Sequence, residues 1–327
     1  MGIAKEGGYY HAMNLPLTLA IGAYDHVRNL DPSGIDLTVL QLPIEEITYR
    51  FTRFAEWDAS ELSFGKTVSL LSRPEPPIVP IPVFPSRVFR HSAIYVGERS
   101  PIRGPQDLSG TTIGVPEWAQ TAGIYVRGML QHEYGVDLRS IRWIQAGVRE
   151  PGRTEKVQLN LPAGLELTPV ADRSLAAMLE SGELDAVISA RNPGGRRLLQ
   201  DTVALEEQYF RNTGIFPIMH VVALRRSSYE ANRWIAMNLV EAFERAKRAS
   251  VARVAEIGVS QVPLPWLADL AGRWSEMAGD DFWPYGVEPN RRTLEAFLQY
   301  AQEQGVTHRS LSLDELFAPE TRERAKV

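Results

Sequence analysis

The sequence predicts an α/β protein with two lobes, mixed but mostly parallel sheets, and a cleft between the lobes. Strand-like and helix-like segments alternate near the start of the chain, which favours parallel strands joined by helical crossovers. A turn-rich stretch at 101–110 (PIRGPQDLSG) then opens a second α/β unit. Apolar, proline-containing segments at 81–96 and 209–222 lie on either side of that unit. A chain that leaves one domain and returns to it in this way forms a cleft with a hinge at its base.

The composition limits the classes of function. The 327 residues are enough for two domains, and 44% hydrophobic with 23% charged residues is typical of a soluble globular protein. A net charge of −5 argues against general binding to nucleic acid or to anionic membranes. The absence of cysteine excludes disulfides, thiolate metal sites and cysteine nucleophiles. No apolar run is long enough to predict a spanning helix.

The first dozen residues, 1–12, are glycine-rich and show no periodic pattern, so we interpret them as a tag or a disordered arm. They lack the apolar segment of a secretory signal. We therefore expect a cytoplasmic protein.

The first domain opens with alternating elements. They are predicted, in chain order, as a strand at 15–23, a strand at 35–42, a helix at 45–54 and a strand at 59–64. Gly65 and Lys66 follow in a predicted loop. The prolines at 78–85 argue against a central strand, whereas 87–96 has the β-branched and aromatic content of a strand.

The inserted unit repeats this alternation. It is predicted to contain a strand from 111, a helix between 116 and 134, a strand at 141–146, a charged loop at 148–160, a strand at 165–169, a helix at 174–181 and a strand at 185–190. After a returning strand at 209–224, a long amphipathic helix at 229–250 begins a mostly helical end. The domains are therefore predicted as a discontinuous domain I at 13–98 plus 205–327 and an inserted domain II at 99–204.

Several stretches, in order, carry a resemblance to a known family. They are AIGAYDHVR (20–28), ELS (61–63), IPVFPSRVFRHSAIYV (81–96), TTIGVPEWAQTAGIYVRGML (111–130), EPGRTEKV (150–157), YFRNTGIFPIMHVV (209–222) and DDFWPYG (280–286). The chain resembles the 4,5-dihydroxyphthalate decarboxylase family, which implies a periplasmic-binding-protein-like type II fold. It departs from the family at SFGKT (63–67), where Phe64 and Lys66 replace small hydroxyl residues. That change would alter one wall of the cleft.

The resemblance implies that 4,5-dihydroxyphthalate loses one carboxylate and becomes protocatechuate and CO2. Protonation of the ring carbon that bears the departing carboxylate avoids an unstabilised aryl carbanion. This route needs a general acid, an acceptor for the para hydroxyl, and arginine to hold the retained carboxylate. It needs no cofactor and no metal in principle, and the sequence contains no phosphate-binding loop or HExxH motif.

Candidate residues follow from the rule that ligands lie beyond the carboxyl ends of strands, and from the two crossings between the domains. The acid–base candidates are His220, His91, Lys66 and His26. The candidates for substrate binding are Asp25, Arg28, Ser63, Arg87, Arg90, Trp118, Gln120, Thr121, Arg191, Asn192, Thr213 and Phe216.

The role of each candidate stays open in part. Either His220 or His91 would deliver the proton, because imidazole titrates near neutral pH. Lys66 or His26 would polarise the phenol. Arg28 would hold a carboxylate together with either Arg87 or Arg90.

The aromatic candidates Trp118 and Phe216 have two readings, since they would either sandwich the substrate ring or pack in a core. A second class of function also stays open: a solute-binding protein that carries an aromatic carboxylate without turning it over. In either case the expected partner is a small aromatic carboxylate, and a homodimer is a possible assembly.

Overall fold

The computed structural model describes residues 14–259 and 261–322, which form two sheets flanked by helices. The predicted arm at 1–12, with His11, lies outside these residues. The strands are β1 (Leu15–Ile21), β2 (Ile35–Gln41), β3 (Ala59–Ser63), β4 (Ile78–Arg87), β5 (Ile94–Val96), β6 (Thr112–Val115), β7 (Arg142–Gly147), β8 (Leu167–Ser174), β9 (Ala186–Ile188), β10 (Arg196–Arg197) and β11 (Ile218–Arg225).

Helices connect and cover these strands. They are α1 (Ile44–Phe54), α2 (Phe64–Leu71), α3 (Thr121–His132), α4 (Leu175–Glu180), α5 (Thr202–Thr213), α6 (Arg226–Ala231), α7 (Ile235–Ala255), α8 (Leu267–Ala278), α9 (Arg291–Glu303) and α10 (Leu313–Leu316). Within the described ranges, no helix combines the length and the apolarity needed to cross a membrane.

The first sheet has the strand order β2-β1-β3-β11-β4. Strand β1 runs parallel to β2 and β3, and β11 runs antiparallel to β3 and β4. The second sheet has the order β10-β5-β9-β6-β7-β8, in which β6 pairs in parallel with β7 and β9. The chain passes between the sheets twice, from β4 to β5 and from β10 through α5 to β11.

The proline-rich segment forms an edge strand. Pro80, Pro82 and Pro85 all lie in β4, which pairs only with β11 in the first sheet. Proline lacks the N–H that an inner strand must donate on both sides, so it is tolerated where one side has no partner strand. The prediction that this segment is not a central strand is confirmed.

Three local predictions are wrong. Residues 87–96 are not one strand, because β4 ends at Arg87 and a 3-10 turn at His91–Ala93 turns the chain into β5 of the other sheet. Residues 64–71 form α2 rather than a loop, and every residue of this helix is buried, Lys66 included. Residues 209–213 belong to α5, which ends at Gly214 in the left-handed conformation, before the returning strand begins.

Candidate active site

A cleft of about 190 Å³ lies between the two sheets, and both sheets contribute to its lining. Seven of the predicted site residues line it: Ser63, Lys66, Arg90, Gln120, Thr121, Arg191 and His220. The cleft therefore brings one predicted histidine together with three predicted cations.

His220 forms a short hydrogen bond with a buried carboxylate. Its Nδ1 lies 2.6 Å from Oε1 of Glu61, whose side chain is 1% exposed. Glu61 also accepts hydrogen bonds from the Tyr24 hydroxyl at 2.7 Å and from the Gly22 N–H at 2.9 Å. Burial alone would raise the pKa of Glu61, but the hydrogen bonds and the charge of His220 outweigh burial and lower it.

An ionised Glu61 fixes the orientation of the imidazole. Nδ1 then carries a proton, and Nε2 is the nitrogen left to exchange a proton with a ligand. Among the described residues, Nε2 of His220 has no hydrogen-bond partner. The pair is thus built to donate or accept a proton inside the cleft.

An irregularity in β11 directs two consecutive side chains into the cleft. The pairing of β11 with β4 shifts register between Ile218 and His220 and again before Val222. Met219 and His220 both line the cleft, although neighbouring residues of a regular strand face opposite sides.

The opposite wall is a network of buried ion pairs around Glu117, which is 2% exposed. Lys66, Arg153 and Lys156 each form an ion pair with its carboxylate at 2.7 Å, and the latter two donate hydrogen bonds to it. Lys66 also lies 2.6 Å from Glu155. Burial alone would raise the pKa of Glu117, but the three positive charges outweigh burial and lower it to about 2. This carboxylate therefore stays ionised at neutral pH.

Ion pairs also bridge the mouth of the cleft. Glu45 on α1 lies 3.1 Å from Arg153 and 3.2 Å from Arg191, which is 71% exposed. Around the cleft, five basic side chains (Lys66, Arg90, Arg153, Lys156 and Arg191) face three carboxylates (Glu45, Glu117 and Glu155). The excess of positive charge is two, or one when Glu61 is included, in a chain whose net charge is −5.

Polar groups without charge meet at the start of α3. The hydroxyls of Ser63 and Thr121 lie 2.9 Å apart, and Thr121 Oγ1 accepts the Gly65 N–H at 2.9 Å. The side-chain oxygen of Gln120 is buried and has no hydrogen-bond partner among the described residues. These groups can hydrogen-bond a polar ligand in the cleft.

Several other predicted residues lie outside the cleft and pack inside the protein. Arg87 is buried and donates to the carbonyls of Phe216 and Pro284 and to Asn290 Oδ1, and burial lowers its pKa to about 10. The Phe216 ring stacks on Phe89, with centroids 5.1 Å apart. These contacts join the end of β4 to the segments that contain Phe216, Pro284 and Asn290.

Trp118 and Thr213 are likewise engaged within the fold. Trp118 is fully buried, donates to the Gln304 carbonyl at 2.7 Å and carries the Arg127 guanidinium over its ring. The hydroxyl of Thr213 donates to the Tyr209 carbonyl within α5. These contacts match the interpretation that Trp118 packs in a core rather than against the substrate ring.

The remaining histidine candidates also lie elsewhere. His91 is buried edge-on against the Tyr209 ring and does not line the cleft. Arg87 is the last residue of β4, whereas His91 begins the 3-10 turn that follows, so the two residues do not lie on one strand. His26 lies 2.8 Å from the Pro85 carbonyl, and burial lowers its pKa despite that contact.

Three polar candidates occupy the surface. Asp25 bonds to Ser250 and Arg253 of α7. Arg28 is 67% exposed and lies 3.3 Å from Asp25. Asn192 is exposed, and its carbonyl accepts a hydrogen bond from an arginine side chain. Asp25 therefore faces α7, and none of the three residues lines the cleft.

Sequence reasoning missed the acidic partners and two cations. The missed residues are Glu45, Glu61, Glu117, Arg153, Glu155 and Lys156. Five of them had a usable signal, since Arg153, Glu155 and Lys156 lie in the family stretch EPGRTEKV (150–157). Glu61 is a charged residue inside a buried strand, and Glu117 lies two residues after the end of β6, beyond the carboxyl end of a parallel strand.

The residues of 14–259 and 261–322 include no group of three or more histidine, aspartate or glutamate side chains arranged to hold a metal ion.

Comparison with known proteins identifies the family. No family model matches the chain. The chain is 34% identical over 327 residues to a 4,5-dihydroxyphthalate decarboxylase from Comamonas testosteroni, covering 96% of this chain and 99% of that relative. The chain belongs to the 4,5-dihydroxyphthalate decarboxylase family. A relative of the same name from Pseudomonas putida is 40% identical over 187 residues, or 55% of this chain and 72% of the relative. The family prediction is confirmed.

Solved structures show the fold of this family member. The periplasmic aliphatic sulphonate binding protein SsuA from Escherichia coli aligns with a TM-score of 0.52 and 13% identity, covering 94% of this chain and 98% of SsuA. The SsuA protein from Methylobacillus flagellatus KT aligns over 94% of this chain and 93% of its own, with a TM-score of 0.48 and 14% identity. At this identity the first likeness shows the fold alone, and it confirms the predicted periplasmic-binding-protein-like class.

Proposed function

We propose that the protein is a carboxy-lyase that converts 4,5-dihydroxyphthalate to protocatechuate and CO2. The observation that carries the proposal is the similarity to a decarboxylase of that name over 96% of this chain. The cleft supports it with a proton-exchanging histidine and an excess of positive charge for a dianionic substrate.

The proposed reaction begins with protonation of the ring. Protonated His220 transfers the proton on Nε2 to the carbon that bears the departing carboxylate, and the para hydroxyl gives up its proton to solvent water. The ring becomes dienone-like. The bond to the carboxylate then breaks, its electron pair restores the aromatic ring, CO2 leaves, and the phenolate is reprotonated. One proton is consumed for each CO2 released.

Glu61 supports this step through charge. Its carboxylate at 2.6 Å stabilises the imidazolium and keeps Nδ1 protonated, so that Nε2 is the nitrogen that acts. Lys66 has three N–H donors; it donates a hydrogen bond to Glu155 and forms an ion pair with Glu117. We propose that its remaining donor polarises the para oxygen as negative charge develops there.

The direct test is turnover. Purified protein should release CO2 and protocatechuate from 4,5-dihydroxyphthalate, and in D2O the product should carry one deuterium at the ring carbon that lost the carboxylate. Tight binding without release of CO2 would contradict the proposal and favour a solute-binding protein.

Variants of the pair test the proton donor. His220→Gln and Glu61→Gln should each lower kcat by about 100-fold or more, because positioned acid–base groups contribute about 10²–10⁴ in rate. Binding of phthalate, which lacks the hydroxyls, should change by less than about threefold. His132→Gln and Glu303→Gln are matched controls, since they remove a surface pair of the same types with a 2.7 Å contact. A His220→Gln variant with the wild-type rate would exclude His220 as the donor.

A further inference from the structure

Arg90 differs from the other basic side chains of the cleft in its bonding. It lies in the crossing between β4 and β5, and its Nε donates to the thioether sulfur of Met219 at 3.2 Å. Sulfur is a weak acceptor. Among the described residues, the two terminal nitrogens of Arg90 have no hydrogen-bond acceptor.

Its charge also has no close counter-ion. Lys66, Arg153, Lys156 and Arg191 each lie within 3.2 Å of a carboxylate oxygen. Within the described part of the chain, no carboxylate lies within 4 Å of the Arg90 guanidinium. Burial lowers the pKa of Arg90, while the more distant Glu206 acts in the opposite direction.

Met219 links Arg90 to the proton donor. Arg90 contacts Met219, and Met219 is followed directly by His220 in β11. The irregular pairing of β11 lets both of these residues line the cleft. A guanidinium with free donors therefore lines the same cleft as the imidazole that would protonate the ring.

We propose that Arg90 binds the carboxylate that the substrate retains and makes this second carboxylate a requirement for turnover. The proposal rests on the proposed decarboxylase function and adds the determinant of substrate class. In an ortho dicarboxylate the two carboxylates are on adjacent ring carbons. One can accept both terminal N–H groups of Arg90 while the carbon bearing the other faces His220.

A consequence is that the product is not a second substrate. Protocatechuate keeps a single carboxylate, and when that group is bound to Arg90 the carbon facing His220 carries only hydrogen. The enzyme should therefore release one CO2 per substrate molecule and leave protocatechuate unchanged.

The test separates carboxylate binding from turnover. Dissociation constants for phthalate and for catechol, which has no carboxylate, are measured by calorimetry for wild type, Arg90→Gln and Arg90→Lys. Arg90→Gln should weaken phthalate about 10- to 100-fold and catechol less than about threefold. Arg90→Lys should fall between wild type and Arg90→Gln, because it keeps the charge and loses the planar fork.

Kinetics provide a second readout. With 4,5-dihydroxyphthalate, Arg90→Gln should raise KM more than it lowers kcat, as expected for loss of binding common to substrate and transition state. Arg248→Gln is the matched control, since Arg248 is 72% exposed on α7. Thermal melts of each variant check folding.

The outcomes distinguish the two proposals. Unchanged phthalate affinity in Arg90→Gln, an equal loss for phthalate and catechol, or decarboxylation of protocatechuate by wild type would overturn the role of Arg90. Phthalate binding that depends on Arg90 in a protein that releases no CO2 would keep the carboxylate subsite and overturn the decarboxylase function.

Discussion

At the scale of single residues, Glu117 shows how the cleft keeps a carboxylate buried and charged. Three cations contact it, and their charge outweighs the cost of burial. Such a group contributes stability only while it is ionised, so its effect depends on pH. Removing one partner of a buried pair leaves the others uncompensated, which is more costly than never having formed the pair.

The pH dependence of stability tests this account. The folded-state pKa of Glu117, about 2, lies below its ordinary 4.5, so its contribution is complete above about pH 4.5 and is lost as the pH falls toward 2. That contribution is about 3 kcal/mol at neutral pH, of which about 2 kcal/mol is lost by pH 3. Glu117→Gln should be destabilised at pH 7, and its stability should fall less between pH 7 and pH 3.

Urea unfolding at the two pH values measures both effects. The exposed Glu180→Gln serves as the control and should follow wild type. A Glu117→Gln variant that loses as much stability as wild type on acidification would contradict the assignment.

At the scale of elements, α2 and the segment before α3 approach each other closely at Gly65. A Cβ on Gly65 would lie 2.4 Å from the Ala119 carbonyl oxygen and 2.8 Å from Ile124 Cδ1. The first of these atoms belongs to the backbone and cannot rotate away. The glycine thus sets the distance between α2, which carries Lys66, and the segment before α3, which carries Glu117.

Gly65→Ala should therefore force α2 and the segment before α3 apart. We expect a loss of about 1–3 kcal/mol in the free energy of unfolding, as for other overpacked sites, and weaker binding of phthalate. Gly272→Ala, in α8, is the control, because nothing lies within 4 Å of its added Cβ. That variant should be neutral or more stable by up to about 1 kcal/mol. Equal behaviour of the two variants in urea unfolding would refute the packing argument.

The sequence predicted the elements that show hydrophobic periodicity of their own. It did not predict elements whose character depends on the helices and strands that pack around them. Periodicity identified β1, β2 and α1 to within a few residues. It missed α2, in which the polar residues, Lys66 among them, are buried together with the apolar ones. For the cleft, polar residues after strand ends were found, whereas the Glu61–His220 contact joins positions far apart in the chain and could not be inferred from spacing.

At the scale of the whole molecule, the two sheets are joined away from the chain crossings by contacts between α3 and α9. The side chain of Gln304, after α9, accepts from Arg127 Nε at 2.8 Å and donates to the Ile124 carbonyl at 3.0 Å. Arg127 is fully buried, and it has no carboxylate within 4 Å among the described residues. This junction fixes one end of the cleft, so the position of the cationic wall depends on it.

Gln304→Ala should loosen this junction without touching the cleft. It removes one acceptor of the buried Arg127 guanidinium, and a buried charged donor left without its partner is costly, so we expect a loss of about 2–4 kcal/mol in the free energy of unfolding. Gln299→Ala on the exposed face of α9 is the control and should change stability by less than about 0.5 kcal/mol. Urea titration followed by circular dichroism measures both variants.

Because Arg127 supports Trp118 and the segment that carries Glu117, phthalate affinity should fall with stability in Gln304→Ala. If Gln304→Ala unfolds at the same urea concentration as Gln299→Ala, the α3–α9 contact does not hold the two sheets in position.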